Sequence, residues 1–315
     1  MIGPDSRIYV AGHRGLVGSA VVRALAAAGH RDVFGLASDE LDLRDPAAVA
    51  EFLRRERPDA VVMAAGRVGG VRANAADGYG VFRDNLLMAV AVVEGARAAG
   101  VRRLLYLGSS CAYPRDAVQP FREESLFCGA DFEPTNAGYA AAKSAGVRLC
   151  DLARVRDGCD FFSVMPCNLY GPGDDFASED SHVLPALIRR MHAAKERGDA
   201  SVRLWGTGSP RREFLHVDDL ARCCVTLLGL PRPPGLINVG AGEDVSIRDL
   251  AALVAGAVGF SGRIEFDPSM PDGVARKLMD VSRVRALGWK PRIGLDEGVR
   301  AAYAWYLANG AEARK

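Results

Sequence analysis

No run of 18 or more apolar residues occurs in the chain, so no stretch reads as a membrane-spanning helix. The first residues also lack the long apolar core of a signal peptide. An excess of one charge is missing too. Forty basic and 39 acidic residues leave a net charge of +1, so bulk electrostatics gives no reason to expect nucleic acid or an anionic membrane as partner. The seven cysteines are odd in number and contain no C-x-x-C pair, which argues against a disulfide framework and against a zinc site in a chain this long. Five histidines are scattered without metal-ligand spacing, and no metal is expected. A reduced, cytoplasmic enzyme fits these absences best. The 315 residues suit one large domain or two moderate ones sharing an interface.

What is present is an alternation. Arg7 to Ala11 (R-I-Y-V-A) reads as a strand, and G-H-R-G-L-V-G follows at residues 12–18. A helix then carries Val21, Val22, Leu25 and Ala28 at apolar spacing and ends near Gly29. A lone glycine turn means little, but strand, turn and helix together point to a dinucleotide phosphate site. Gly12 permits the tight turn, Gly15 lets a pyrophosphate approach the backbone, and Gly18 lets helix and strand pack closely. Strands follow at 32–37, 60–65, 103–107 and 161–165, with helices at 46–56, 82–99 and 136–155. The expected fold is α/β, a Rossmann-type doubly wound parallel sheet.

Past residue 170 the rhythm loosens. Helices are expected at 182–197, 217–228, 246–259, 281–287 and 295–309, and short strands at 202–205, 237–239 and 263–266. The expected division is a dinucleotide-binding domain over 1–170, joined by returning segments near 214–240. A smaller α/β substrate-binding domain, mainly within 171–315, is built from discontinuous pieces.

Tyr139 and Lys143 lie four apart in an alanine run, so both leave one helical face. A lysine there is expected to favour the phenolate and lower the tyrosine pKa, making it a proton donor or acceptor near neutrality. Such a pair is more often a solvated face, and it gains meaning only with its neighbours. The fourth strand ends in Gly108-Ser109-Ser110-Cys111, and ligands of open α/β sheets bind at the carboxyl ends of strands. Ser109 is then expected to share one substrate oxygen with Tyr139.

The glycine loop, Ser109 and Tyr139-x-x-x-Lys143 resemble the extended short-chain dehydrogenase/reductase family over nearly the whole chain. Finer motifs include L-G-S-S-C-A-Y-P, S-V-M-P-C-N-L-Y-G-P, S-H-V-L-P-A-L-I-R-R, L-W-G-T-G-S-P-R-R-E-F-L-H-V-D-D-L and P-D-G-V-A-R-K. They resemble the members that convert GDP-4-keto-6-deoxy-D-mannose to GDP-L-fucose by 3,5-epimerisation and C4 reduction. The resemblance implies Tyr139, Lys143 and Ser109 as reductive residues and Cys111 and His182 as the epimerising pair. Without it, Cys111 reads as a small buried hydrophobe and His182 as a helix-start residue. It implies NADP contacts at Gly12, His13, Arg14, Gly15, Leu16, Val17, Gly18, Asp42 and Leu43. Further contacts are implied at Leu107, Gly108, Ser109, Ser110, Lys143, Pro166, Cys167, Asn168, Leu169 and His182. Substrate contacts are implied at Arg190, Trp205, Arg212 and Asp272, and a homodimer is expected.

Some positions depart from the pattern. Ser38 stands where relatives can carry a second arginine, and Asp39 sits near where an acid favours the free ribose hydroxyl of NAD. NADP is the expected cofactor, with NAD left open. Cys167 replaces a usual threonine, Gly173-Asp174-Asp175 differs from H-D-N, and residues 74–82 lack a proline. Two other readings remain open: a different nucleotide-sugar epimerase or reductase, and a non-catalytic NADP-binding regulator. The intact Ser/Tyr/Lys set speaks against the second.

Overall fold

In the computed structural model the described residues are 2–70, 74, 76–129, 131–178, 181–270 and 272–310. The first half runs β1 (Arg7–Ala11), α1 (Leu16–Ala27), β2 (Asp32–Phe34), α2 (Pro46–Glu56), β3 (Ala60–Met63), α3 (Gly78–Ala98), β4 (Arg103–Leu107), α4 (Ala137–Asp157) and β5 (Asp160–Pro166). The second half begins with β6 (Asn168–Tyr170), α5 (Val183–Arg197), β7 (Ser201–Trp205), β8 (Arg211–Arg212), β9 (Phe214–His216) and α6 (Val217–Gly229). It ends with β10 (Leu236–Val239), β11 (Val245–Ser246), α7 (Ile247–Val258), β12 (Arg263–Asp267), β13 (Arg276–Lys277), α8 (Ser282–Ala286) and α9 (Leu295–Asn309).

Strands β3 and β4 are buried along their whole length, as expected where helices cover both faces of a sheet. They lie inside a six-stranded sheet of order β10-β5-β4-β3-β1-β2, and every pairing in it is parallel. The chain passes from β1 to β2 on one side and returns to β3 on the other. That reversal is a topological switch point, where a crevice opens at the carboxyl ends of β1 and β3. Arg103, the first residue of β4, is buried and donates to the carbonyls of Leu228 and Leu230 at 2.6 and 2.7 Å. A cation at the last carbonyls of α6 satisfies groups the helix itself leaves open. It ties that helix to the sheet.

Two hydrophobic cores form. One gathers the sheet, α1 to α4 and α6, and also Met279, Val281, Val284 and Trp289. The other gathers Tyr170, Phe176, α5, α7 and α9. Three small sheets lie outside the large one: β7 with β12, β6 with β9, and β8 between β11 and β13. Two bounds differ from the sequence expectation by three residues or more. Strand β2 ends at Phe34 and not at 37, because it is an edge strand paired with β1 over three residues. Helix α3 starts at Gly78 and not at Phe82, because Asp77 caps it by accepting from the Gly80 N–H at 3.0 Å.

Candidate active site

The glycine turn closes against the end of β3. Gly12 has φ +81°, and a Cβ there would lie 2.7 Å from the backbone of Ala65. A Cβ on Gly18 would lie 2.0 Å from the Gly12 carbonyl oxygen, so α1 and the turn touch backbone to backbone. No side chain caps α1, whose N-cap is Gly15, and the first-turn N–H groups of Leu16, Val17 and Gly18 are left for an anion. The residues therefore fit a dinucleotide. His13 turns its ring onto Gly35, where a Cβ would lie 2.4 Å from the imidazole. Arg14, Ser38 and Asp39 are exposed. Asp42 chelates Arg44, with Nε and Nη2 donating at 2.9 and 2.8 Å, and these bonds lower its carboxyl to about 2. Leu43 beside it is buried.

Lys143 and Tyr139 project from α4 into the crevice beside the end of β4, and both are nearly buried. The Lys143 ammonium donates to the Leu107 carbonyl at 2.8 Å, and Nζ lies 5.8 Å from the centre of the Tyr139 ring. Burial lowers Lys143 to about 8. The expectation for Tyr139 is corrected here. Burial and the neighbouring Cys111 raise the phenol above its ordinary range, and only its hydrogen bond to Ser109 pulls the other way. Desolvation wins, and the Lys143 ammonium gives its hydrogen bond to a backbone carbonyl. A phenol that holds its proton is suited to giving it to a new alkoxide.

Ser109 begins the short 3-10 turn Ser110–Ala112 and accepts from the Cys111 N–H at 3.2 Å. Ser109, Cys111 and Tyr139 are thereby grouped. Gly108 sits on Met165, whose sulfur would lie 2.3 Å from a Cβ, and Ser110 is buried. On the other side of Cys111, Lys277 donates to Sγ at 3.6 Å. Burial lowers the Arg212 guanidinium, while Cys111, Asp272 and Glu133 act electrostatically to hold its charge. Sequence reasoning does not single out Lys277. Its one signal is membership of the same P-D-G-V-A-R-K run as Asp272.

The β5–β6 junction supplies Pro166, Cys167, Asn168 and Leu169. The Cys167 N–H donates to Val239 at 3.1 Å, and Asn168 Nδ2 donates to the Glu213 carbonyl at 2.9 Å. Burial pushes the Cys167 thiol well up. Of the remaining expected residues, Asp272 accepts from Thr207 N and Oγ1 at 2.8 and 2.6 Å, so both its oxygens already hold a loop. Trp205 ends β7 about half exposed. His182 is exposed as the N-cap of α5. Among the described residues no hydrogen bond or ring contact joins its imidazole to Tyr139 or Cys111. Arg190 lines a surface cleft of about 400 Å³ with Arg189, Arg197 and Arg203. Of residues 74–82, Ala75 lies outside the described residues. Among the described residues no group of three or more His, Cys, Asp or Glu is placed to hold a metal, and no helix is long and apolar enough to cross a membrane.

A parallel sheet with a glycine cradle at its switch point, and a Ser/Tyr/Lys group at the end of the neighbouring strand, defines a Rossmann-type enzyme of the dehydrogenase/epimerase kind. The chain belongs to the NAD dependent epimerase/dehydratase family, whose family model matches residues 8–240. It is 50% identical over 314 residues to GDP-L-fucose synthase 1 of Arabidopsis thaliana, covering 98% of this chain and 95% of that one. It is 44% identical to GDP-L-fucose synthase of Escherichia coli (strain K12), covering 96% and 97%. Among solved structures, a GDP-L-fucose synthetase from Naegleria fowleri bound to NADP superposes with a TM-score of 0.90 at 27% identity, covering 100% and 98%.

Proposed function

We propose that the chain is an NADPH-dependent GDP-L-fucose synthase, which epimerises GDP-4-keto-6-deoxy-D-mannose at C3 and C5 and then reduces C4. The observation that carries this reading is the grouping of Cys111 with the hydrogen-bonded Ser109 and Tyr139 hydroxyls, in a chain half identical to a GDP-L-fucose synthase from end to end. The C4 ketone acidifies the hydrogens at C3 and C5, since the enolate charge spreads onto oxygen. Ser109 and Tyr139 hydrogen-bond that oxygen in ketone, enolate and alkoxide alike. Cys111 takes each proton, and His182 returns one on the opposite face. His182, exposed at the start of α5, is open to substrate for this role.

The glycine cradle of residues 12–18, Arg14, Asp42 and Leu43, the 107–110 and 166–169 segments, Lys143 and His182 would hold NADPH, which would supply the hydride for C4. Tyr139 then protonates the C4 oxygen, and the Lys143 ammonium keeps the site positive as the alkoxide forms. Arg190, Trp205, Arg212 and Asp272 serve the GDP-sugar, with arginine forks suited to phosphate oxygens. We further infer a homodimer and a cytoplasmic location. The dimer reading rests on exposed Tyr79, Leu87 and Val90 on α3 beside exposed Leu152 and Val155 on α4, and the location on seven free thiols.

The test is incubation with GDP-4-keto-6-deoxymannose and NADPH in D2O. Deuterium at both C3 and C5 of GDP-fucose, with NADPH consumed, is the expected result. An unlabelled product reduced at C4 with the manno configuration intact would sink the epimerase assignment.

A further inference from the structure

We infer that Lys277 is a positioning residue for epimerisation, whose ammonium holds the Cys111 sulfur in its anionic, proton-accepting form. The inference rests on the reading of Cys111 as the base that removes the C3 and C5 protons. Its first support is the contact itself, Lys277 Nζ donating to Cys111 Sγ at 3.6 Å. An ammonium beside a sulfur favours the thiolate, which is the nucleophilic and basic form.

The second support is register. In the parallel pairing of β13 with β8, Lys277 lies opposite Arg212. Side chains of directly paired residues leave the same face of a sheet, and Arg212 is itself electrostatically coupled to Cys111. Two cations on neighbouring strands thus serve one sulfur. They are not equivalent, because Arg212 also feels Asp272 and Glu133. No carboxylate lies within ion-pair distance of Lys277 among the described residues, while its neighbour Arg276 is taken by Asp244.

The third support is how firmly residues 276–280 are fastened to the segment that follows Cys111. Gln119 donates to the Arg276 carbonyl at 2.6 Å and accepts from the Leu278 N–H at 2.9 Å. The Phe121 N–H donates to Leu278, and the Asp280 N–H to Phe121, both at 2.8 Å. The Met279 N–H donates to Glu213 at 2.9 Å. Four of these bonds hold the lysine stem against the segment that follows the thiol, and the fifth ties it to Glu213 beside Arg212.

In the step itself the sulfur forms an S–H bond with the departing proton. The C–H bonding pair moves into the enolate and onto the C4 oxygen, and Lys277 keeps its own protons throughout.

The test compares wild type with Lys277→Met, Lys277→Gln and Lys277→Arg. Each is treated with iodoacetamide at pH 7, and alkylation of Cys111 is followed by peptide mass spectrometry, with exposed Cys128 as the internal reference. The methionine and glutamine variants should alkylate Cys111 about tenfold more slowly, with Cys128 unchanged and the arginine variant largely restored. Solvent exchange at C3 and C5 should fall in kcat by a similar factor, with little change in KM. An unchanged Cys111 alkylation rate in both uncharged variants overturns the inference, and a raised KM with that rate unchanged assigns Lys277 to substrate binding. Cys111→Ser separates the two readings. If that variant exchanges C3 and C5 hydrogens at the wild-type rate, Cys111 is not the base, whatever Lys277 does to its alkylation.

Discussion

Glu213 follows Arg212 directly in the chain and is completely buried. One carboxylate oxygen accepts from the Gly242 N–H at 2.6 Å and the other from the Met279 N–H at 2.9 Å. Burial outweighs these bonds and raises the carboxyl from 4.5 to about 7. The folded protein therefore keeps a proton that the unfolded chain has already lost between those values. The stability this contributes is fully present below pH 4.5 and is lost as pH rises through 7. Working the linkage through for one group gives a loss of about 2.5 kcal/mol between pH 5 and pH 8.

Glu213→Gln cannot titrate, but it offers one acceptor oxygen where the native side chain offers two. One backbone N–H then loses its partner, a cost of about 1–3 kcal/mol that does not depend on pH. Urea unfolding of both proteins at pH 5 and pH 8, followed by fluorescence of the buried Trp289, separates the two effects. Wild type should lead the variant at pH 5, and that lead should shrink by about 2.5 kcal/mol at pH 8. The same gap at both pH values refutes the argument, because it would mean that Glu213 is ionised across the range in the folded state.

Two more outcomes follow from the site. Burial lowers Lys143 to about 8 from 10.5, so NADPH oxidation should decline as pH passes 8, while the cost of burying that charge disappears and stability rises between 8 and 10.5. Rate and thermal melts measured together across this range check the opposed directions, and a rate that stays flat to the end of it removes Lys143 as a needed cation. Gly18→Ala would place its Cβ 2.0 Å from the Gly12 oxygen. Forcing α1 off the turn costs about 1–3 kcal/mol, seen in a fluorescence titration as roughly 5- to 150-fold weaker NADPH binding, and unaltered binding would show that the contact does not shape the cradle.

The parallel sheet was legible because β1, β3, β4 and β5 are apolar runs bracketed by helices of clear 3.6-residue spacing. The small sheets were not. Strands β8, β11 and β13 have two residues each, too few for any period, and their partners lie more than 30 positions away in the chain. Tyr139 and Lys143 were legible as a pair, since four-residue spacing on a helix fixes their common face. The destination of the lysine was not, because a backbone carbonyl at position 107 leaves no mark on sequence. Nor does sequence mark the burial that keeps the phenol protonated, contrary to the sequence expectation.

The segment Leu107–Cys111 shows why so short a stretch carries so much. Leu107 gives Lys143 its carbonyl, Ser109 meets Tyr139, and Cys111 meets Lys277. The first two partners come from α4, within the large sheet's own half of the chain. The third comes from β13, which pairs outside that sheet. A strand end on a rigid parallel sheet moves little, so groups from both halves can be brought to it with fixed separations. The two cations also meet different parts of the segment, Lys143 the Leu107 carbonyl and Lys277 the Cys111 sulfur. Charge is thereby available to an oxygen and to a thiol without either lysine having to serve both. A site that ran only a reduction would need the first lysine alone. On the inference that it serves the Cys111 thiol, the second cation belongs to epimerisation, which makes Lys277 the sharpest place to ask how many reactions this crevice performs.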